Sequence, residues 1–158
     1  METISTGPRH HFFGVQNVLV MYYVAAPPAD ALREREAWVI RTLESFESVA
    51  LLVVVDKHAT GVLPDAEFRA VSKEQGLKYR DFIACSAVVL ETDSVWSGLL
   101  RSFLRTLSML IRPPFPIEYF DAVKDAAPFA IESCNSPCDT QELVAALESV
   151  RMPPPGES

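Results

Sequence analysis

A short polar stretch, residues 56–60, brings together side-chain types that can do chemistry. It holds a carboxylate at Asp56, a base at His58 and a hydroxyl at Thr60, with Lys57 between the first two. A hydroxyl nucleophile needs its base within hydrogen-bond reach and a third group that orients this base. The same stretch also fits an ordinary loop in which Asp56 accepts backbone N–H groups. Both interpretations stay open, and the ordinary loop is favoured because neighbouring side chains at a strand end diverge.

The histidines and cysteines show no metal-binding pattern. His10 and His11 are adjacent in a strand-like segment, so their side chains point to opposite faces. Cys134 and Cys138 form one CxxxC pair without a nearby histidine, whereas a structural zinc site usually has four Cys or His ligands. We therefore expect no metal, no cofactor and reduced thiols, with a disulfide between Cys134 and Cys138 as the alternative.

The composition excludes several classes of function. The chain has 158 residues, 49% of them hydrophobic, which is enough for one domain with a core. Its formal net charge of −7 repels a polyanion, so nucleic acid is not an expected partner. The first residues lack the pattern of a secretion signal, and no apolar run approaches the roughly 18 residues of a membrane-spanning helix. We expect a cytoplasmic protein.

The elements that would position residues 56–60 centre on residues 49–55. This unbroken apolar run, rich in valine and bounded by turn residues, is typical of a central strand buried on both faces of a parallel sheet. Ligand sites in such sheets usually lie at the carboxyl ends of the strands. Residues 56–60 would therefore lie at the edge where a site is expected.

The other elements follow from hydrophobic periodicity and turn residues. Around the central strand the pattern predicts a hairpin of residues 9–15 and 18–25, a helix from 29 to about 47, a helix from 64 to Gly76, a parallel strand at 83–90, an edge strand at 117–120, a helix capped by Asp121, and a last helix after Asp139. We expect a flexible N-terminus at 1–8, an α/β domain at 9–132, a C-terminal helical extension at 133–152 and a disordered tail at 153–158.

Residues 94–112 are predicted to form a strongly amphipathic helix. Three arginines and no acidic residue occur between Asp93 and Glu118, although the whole chain is acidic. The apolar stripe fits packing on the sheet, and it also fits a ligand pocket, a homodimer interface or a membrane-surface contact. The candidate interaction residues are Trp96, Leu99, Arg101, Phe103, Arg105 and Leu107.

The order of elements and several local patterns across residues 10–131 resemble the STAS superfamily, the sulfate-transporter and anti-sigma-factor-antagonist domain. The resemblance is closest to the small bacterial SpoIIAA-like proteins. It is carried by residues 17–20, 51–56, 63–69, 87–89, 119–121 and 125–131. It implies a single α/β domain with a mixed, mostly parallel sheet covered by helices, and a role in regulatory protein–protein contact or in binding a small or apolar ligand.

The family's phosphorylated serine lies in a turn shortly after the central strand. At this place the chain reads Gly61-Val62-Leu63-Pro64-Asp65-Ala66, without a hydroxyl, and Thr60 is the nearest candidate. We expect a non-enzymatic regulatory or adaptor module that acts through an unidentified protein partner. An apolar-ligand or lipid-binding protein that uses residues 94–112 is the alternative, and an enzyme ranks third.

Overall fold

The computed structural model describes residues 1–59, 64–91, 102 and 115–153, and within them it shows a single α/β domain. Six strands form one mixed sheet in the order of the sequence. The strands are β1 (Glu2–Gly7), β2 (His10–Val15), β3 (Val18–Tyr23), β4 (Val49–Val55), β5 (Ile83–Leu90) and β6 (Ile117–Phe120). The helices of the described residues are α1 (Ala29–Thr42), α2 (Ala66–Lys78), α3 (Val123–Ser133) and α4 (Thr140–Val150).

The sheet is antiparallel at one side and parallel at the other. β1, β2 and β3 pair antiparallel, whereas β3, β4, β5 and β6 pair parallel to one another. The predicted mixed, mostly parallel sheet is thereby confirmed. The strands at 49–55, 83–90 and 117–120 have the predicted limits, because their apolar runs end at turn residues.

Helices cover both faces of the sheet. Side chains alternate along a strand, so Leu19 and Met21 of β3 pack under α1 and α2, while Val20 and Tyr22 pack under α3 and α4. Among the described residues, Trp38 of α1 is the largest buried side chain. The fold is a sheet between two layers of helices, and β4 is buried at its centre.

The predicted hairpin of β2 and β3 is confirmed, and its turn also connects distant parts of the chain. Gln16 has a φ of 54°, in the left-handed region that two-residue hairpin loops favour. The Asn17 side-chain amide donates to the carbonyls of Ser48 at 2.9 Å and Cys134 at 3.0 Å. The turn is therefore tied to the start of β4 and to the end of α3.

The expected flexible N-terminus at 1–8 is wrong, because Glu2–Gly7 forms the edge strand β1. The segment has few apolar residues, but its backbone pairs with β2 and Ser5 is buried. Without β1, the backbone N–H and C=O groups at that edge of β2 would lack partners. Backbone pairing with β2, together with the packing of Ile4 against the core, accounts for this strand.

Three predicted helix ends differ from the structure. α1 ends at Thr42 instead of about residue 47, and α2 continues through Gly76 to Lys78. A single glycine lowers helix propensity without preventing the helix from continuing. α3 begins after Ala122 without a side-chain cap, so Asp121 is not its cap.

The predicted C-terminal helix is confirmed as α4. Its N-cap, Asp139, accepts a hydrogen bond of 3.3 Å from the Gln141 amide. Two predicted segments lie outside the described residues. They are residues 154–158 of the expected tail and the 94–112 helix, except for residue 102. None of the described helices has the length and apolar character needed to cross a membrane.

Candidate functional site

The carboxyl ends of β4 and β5 place two acidic residues at one edge of the sheet. The Asp56 amide donates to the Tyr23 carbonyl at 3.1 Å, and the Glu91 amide donates to the Val55 carbonyl at 3.1 Å. Both residues are therefore held by the last hydrogen bonds of the parallel ladder. This is the edge where parallel sheets usually carry their sites.

Asp56 is a buried carboxylate that accepts three hydrogen bonds. It is 2% exposed. Its Oδ1 accepts from the His58 backbone amide at 2.8 Å, and its Oδ2 accepts from the Tyr22 hydroxyl at 2.8 Å. Burial raises the pKa of Tyr22 to about 12, so the phenol keeps the proton that it donates.

Arg151, which follows α4, connects the acidic residues. Its guanidinium donates to Glu91 through Nη1 at 2.8 Å and Nη2 at 2.6 Å, and to Asp56 Oδ2 through Nη1 at 3.1 Å. Its Nε donates to Glu148 at 2.9 Å. The hydrogen bonds to Glu91 and Glu148 outweigh desolvation and raise the pKa of Arg151, so the guanidinium remains charged.

A polar cavity of about 440 Å³ opens beside this ion-pair network. It is lined by Asp56, Lys57, His58, Glu91, Glu148, Arg151 and Met152. These described lining residues include no serine, threonine or cysteine. The cavity is therefore suited to charged and hydrogen-bonding contacts, and the described part of its lining offers no serine, threonine or cysteine nucleophile.

The structure places two of the three candidate residues of the loop after the central strand at this cavity. Asp56 and His58 both line the cavity, but His58 contacts Asp56 through its backbone amide. Asp56 therefore accepts a backbone N–H group, as the ordinary-loop interpretation expects, and the choice between a loop and a site stays a prediction. Thr60 lies outside the described residues.

Three participants were not predicted from the sequence. Glu91 had a usable signal, because it directly follows a strand predicted to lie parallel to β4. In the sequence, Tyr22 is an ordinary aromatic residue of a predicted strand, and Arg151 belongs to the predicted helical extension. Their roles depend on strand register and on how α4 lies against the sheet, which local patterns do not contain.

The candidate interaction residues of the 94–112 segment cannot be placed in the fold. Trp96, Leu99, Arg101, Phe103, Arg105 and Leu107 lie outside the described residues. Their proposed role as a ligand, membrane or dimer surface stays a sequence-based prediction.

The predicted separation of His10 and His11 agrees with the structure. His10 Nε2 lies 3.1 Å from Ser5 Oγ, and His11 Nε2 lies 3.3 Å from Thr3 Oγ1. Burial lowers the pKa of both imidazoles. Among the described residues, no group of three or more His, Cys, Asp or Glu side chains is arranged to hold a metal ion.

All three cysteines are buried free thiols. Cys85 Sγ lies 2.9 Å from Ser133 Oγ, and the Cys134 thiol donates to the Ala130 carbonyl at 3.3 Å. Burial raises the pKa of Cys134 and of Cys138 to about 11. These thiols are therefore poor nucleophiles near neutral pH.

A larger cavity, of about 570 Å³, lies beside Trp38 of α1 and Phe46, which follows α1. Two of its charged lining residues, Arg41 and Glu2, form an exposed ion pair at 2.6 Å. This pair lacks the buried carboxylate and the multiple donors that are present around Asp56. The edge with Asp56 and Glu91 is the stronger candidate.

No family model, curated protein or solved structure matches this chain. The fold and the candidate site are therefore supported by the geometry of this chain alone.

Proposed function

We infer that the protein is a non-enzymatic regulatory or adaptor module of the STAS-like kind, which acts through contact with another protein. The observation that supports this function is the shared guanidinium of Arg151, which pairs with both Asp56 and Glu91 at the carboxyl edge of the sheet. The edge carries an ordered polar surface whose charges are already paired with one another.

This pairing favours binding over acid–base chemistry. A general base must lie within hydrogen-bond reach of the substrate proton. The Asp56 side chain is 3% exposed and accepts three hydrogen bonds from within the chain. The Glu91 side chain is 16% exposed and both its oxygens accept from Arg151, so both carboxylates are shielded from a substrate proton. Lys57, which is exposed beside them, adds a charged group that a protein partner can contact.

A capture experiment with matched charge reversals tests this function. The full chain serves as bait in a lysate of the native host, with Lys57→Glu beside the cavity and Lys73→Glu on exposed α2 as the control. We expect a specific protein partner that the Lys57 variant loses and the Lys73 variant retains. Equal capture by both variants would contradict a contact at this edge.

A substrate panel tests the competing enzyme hypothesis. We expect no turnover by the purified chain that depends on Asp56. Turnover that Asp56→Asn abolishes in a folded variant would show that the carboxylate is a reaction centre, and would overturn the proposed function.

A second candidate function is binding of an apolar ligand or lipid through residues 94–112. It is favoured by the sequence of this segment, with its three arginines, large apolar residues and lack of acidic residues. Native mass spectrometry and binding to anionic vesicles test it. A co-purified lipid, or vesicle binding that Arg101→Glu and Arg105→Glu remove, would support this function; the absence of both would contradict it.

A further inference from the structure

The chain that follows α4 crosses the carboxyl edge of the sheet. α4 ends at Val150, and Arg151 adopts an extended backbone with a φ of −57° and a ψ of 136°. Its side chain then reaches Glu91 and Asp56 at the ends of β5 and β4. We call residues 151–153 the C-terminal strap.

The strap is attached by a small number of polar contacts and by the Met152 side chain, which packs against the core. Besides the ion pairs of Arg151, the Met152 amide donates to the Tyr22 hydroxyl at 3.0 Å. The guanidinium also lies over the Tyr22 ring, 5.9 Å from its centroid. The Arg151 side chain is 25% exposed, so water reaches these contacts.

The anchor of α4 lies elsewhere. Leu143 and Leu147 are fully buried in the core between α3, α4 and the sheet. The Met152 side chain also packs against this core, but it is only partly buried, whereas both leucines are fully buried. Residues 151–153 can therefore leave the edge while α4 stays in place. Local openings of this kind are a normal property of terminal segments held by few contacts.

Removal of the strap would change the electrostatics of the edge. Arg151 supplies a positive charge that is shared by Asp56, whose side chain is 3% exposed, and Glu91, whose side chain is 16% exposed. Without the guanidinium these carboxylates would be neighbours that lack their shared counter-charge. A guanidinium is planar and can donate two parallel N–H groups to one carboxylate, so it fits this site better than an ammonium does.

We propose that the C-terminal strap is an autoinhibitory cover, in which Arg151 occupies a guanidinium site that an arginine side chain of a protein partner takes when the strap opens. This inference rests on the proposed protein-binding function. It assigns to the partner a defined chemistry, an exposed arginine, and to Arg151 the role of its intramolecular competitor.

Hydrogen exchange of the full chain tests the opening step. In the wild-type protein we expect the Met152 amide to exchange at least about tenfold faster than the amides of β4, because it exchanges through a local opening. Exchange of Met152 at the same rate as β4 would show that the strap leaves only on global unfolding, and would overturn the proposal. This measurement is made on the wild-type protein and requires no variant.

Chemical rescue tests the guanidinium site. Arg151→Ala should increase Met152 and His58 exchange, and ethylguanidinium should slow His58 exchange more than ethylammonium at the same concentration. The control is Arg41→Ala, which removes an exposed arginine of the Glu2 pair and should leave both amides unchanged. If Arg151→Ala does not fold, Arg151→Lys, which keeps the charge and loses the fork, takes its place in the same comparison. No difference between the two probes on a folded variant would overturn the proposal.

These outcomes are independent of the proposed function. Exchange and rescue need neither turnover nor a captured partner, so a failed strap test leaves the capture experiment with Lys57→Glu valid. Asp56-dependent turnover would overturn the adaptor function. It would leave the hydrogen-exchange result for the strap unchanged.

Discussion

The Tyr22 hydroxyl donates a hydrogen bond of 2.8 Å to Asp56 Oδ2 and so joins β3 to the residue that follows β4. Tyr22 is fully buried and Asp56 is nearly so, which makes this contact part of the core as well as of the candidate site. The same hydroxyl accepts from the Met152 amide. One phenol therefore links the sheet, the buried carboxylate and the C-terminal strap.

Tyr22→Phe is expected to destabilise the fold by about 1–3 kcal/mol, because it leaves a buried carboxylate oxygen and the Met152 amide each short of one partner. The free energy of unfolding, from urea denaturation, measures this. A double-mutant cycle with Asp56→Asn isolates the pair and should give a coupling of about 0.5–3 kcal/mol. Additive effects of the two substitutions would contradict the contact.

Gly14 on β2 lies directly beneath the Trp38 indole. A Cβ added at Gly14 would lie 2.5 Å from Trp38 Nε1, far inside van der Waals contact. Gly14→Ala should therefore cost about 1–3 kcal/mol of stability through overpacking. Thermal or urea unfolding checks this value.

Gly76 gives the matched control for that substitution. It lies within α2, and among the described residues the atom nearest to a Cβ there belongs to the Phe115 ring, at 3.8 Å. Gly76→Ala is expected to stabilise the protein by about 0.5–1 kcal/mol, because alanine is the better helix former. Equal effects of the two substitutions would show that backbone entropy rather than the Trp38 contact determines them.

The parts of the fold that were predictable are those with local signals. The apolar run of β4 and the proline and aspartate before α2 identify their elements directly, and Asp65 indeed accepts from the Phe68 amide at 2.8 Å. β1 was not predictable in this way, since its pairing with β2 involves backbone groups that every sequence carries.

The candidate site was predictable only in part. Asp56 follows the central strand, so its place at the carboxyl edge followed from the sheet topology. The pairing of Asp56 with Arg151 spans 95 residues and depends on the direction in which the chain leaves α4. No periodicity or motif encodes that direction.

Arg35 of α1 is a buried cation that donates hydrogen bonds to a neutral amide. Its Nε and Nη2 donate to Gln75 Oε1 at 3.2 and 2.8 Å, and burial lowers its pKa to about 10. Gln75 in turn donates to the Leu32 carbonyl at 2.9 Å. This small polar network joins α1 to α2 within an otherwise apolar layer.

Replacing both members of that network should cost less than replacing Gln75 alone. Gln75→Leu leaves the buried guanidinium without its acceptor and is expected to cost about 3–5 kcal/mol. Adding Arg35→Met removes the cation and should recover most of this loss, because an apolar pair needs no hydrogen-bond partner. Urea unfolding of both variants decides the matter, and a double variant as unstable as the single one would refute this expectation.

The buried imidazole of His10 should make stability depend on pH. Burial lowers its pKa below 6.5 in the folded protein, and that of His11 shifts in the same direction. As the pH falls through about 6.5, the unfolded chain binds protons that the folded chain resists, so the free energy of unfolding decreases. This contribution is full above about pH 7 and is lost progressively as the pH falls below about 6.5. Unfolding of the wild type is compared with unfolding of a His10→Gln/His11→Gln variant across this pH range. The comparison separates the contribution of the histidines to the free energy of unfolding from that of the carboxylates. A flatter pH profile in the double variant is the expected result; parallel profiles would show that neither imidazole is protonated preferentially in the unfolded chain.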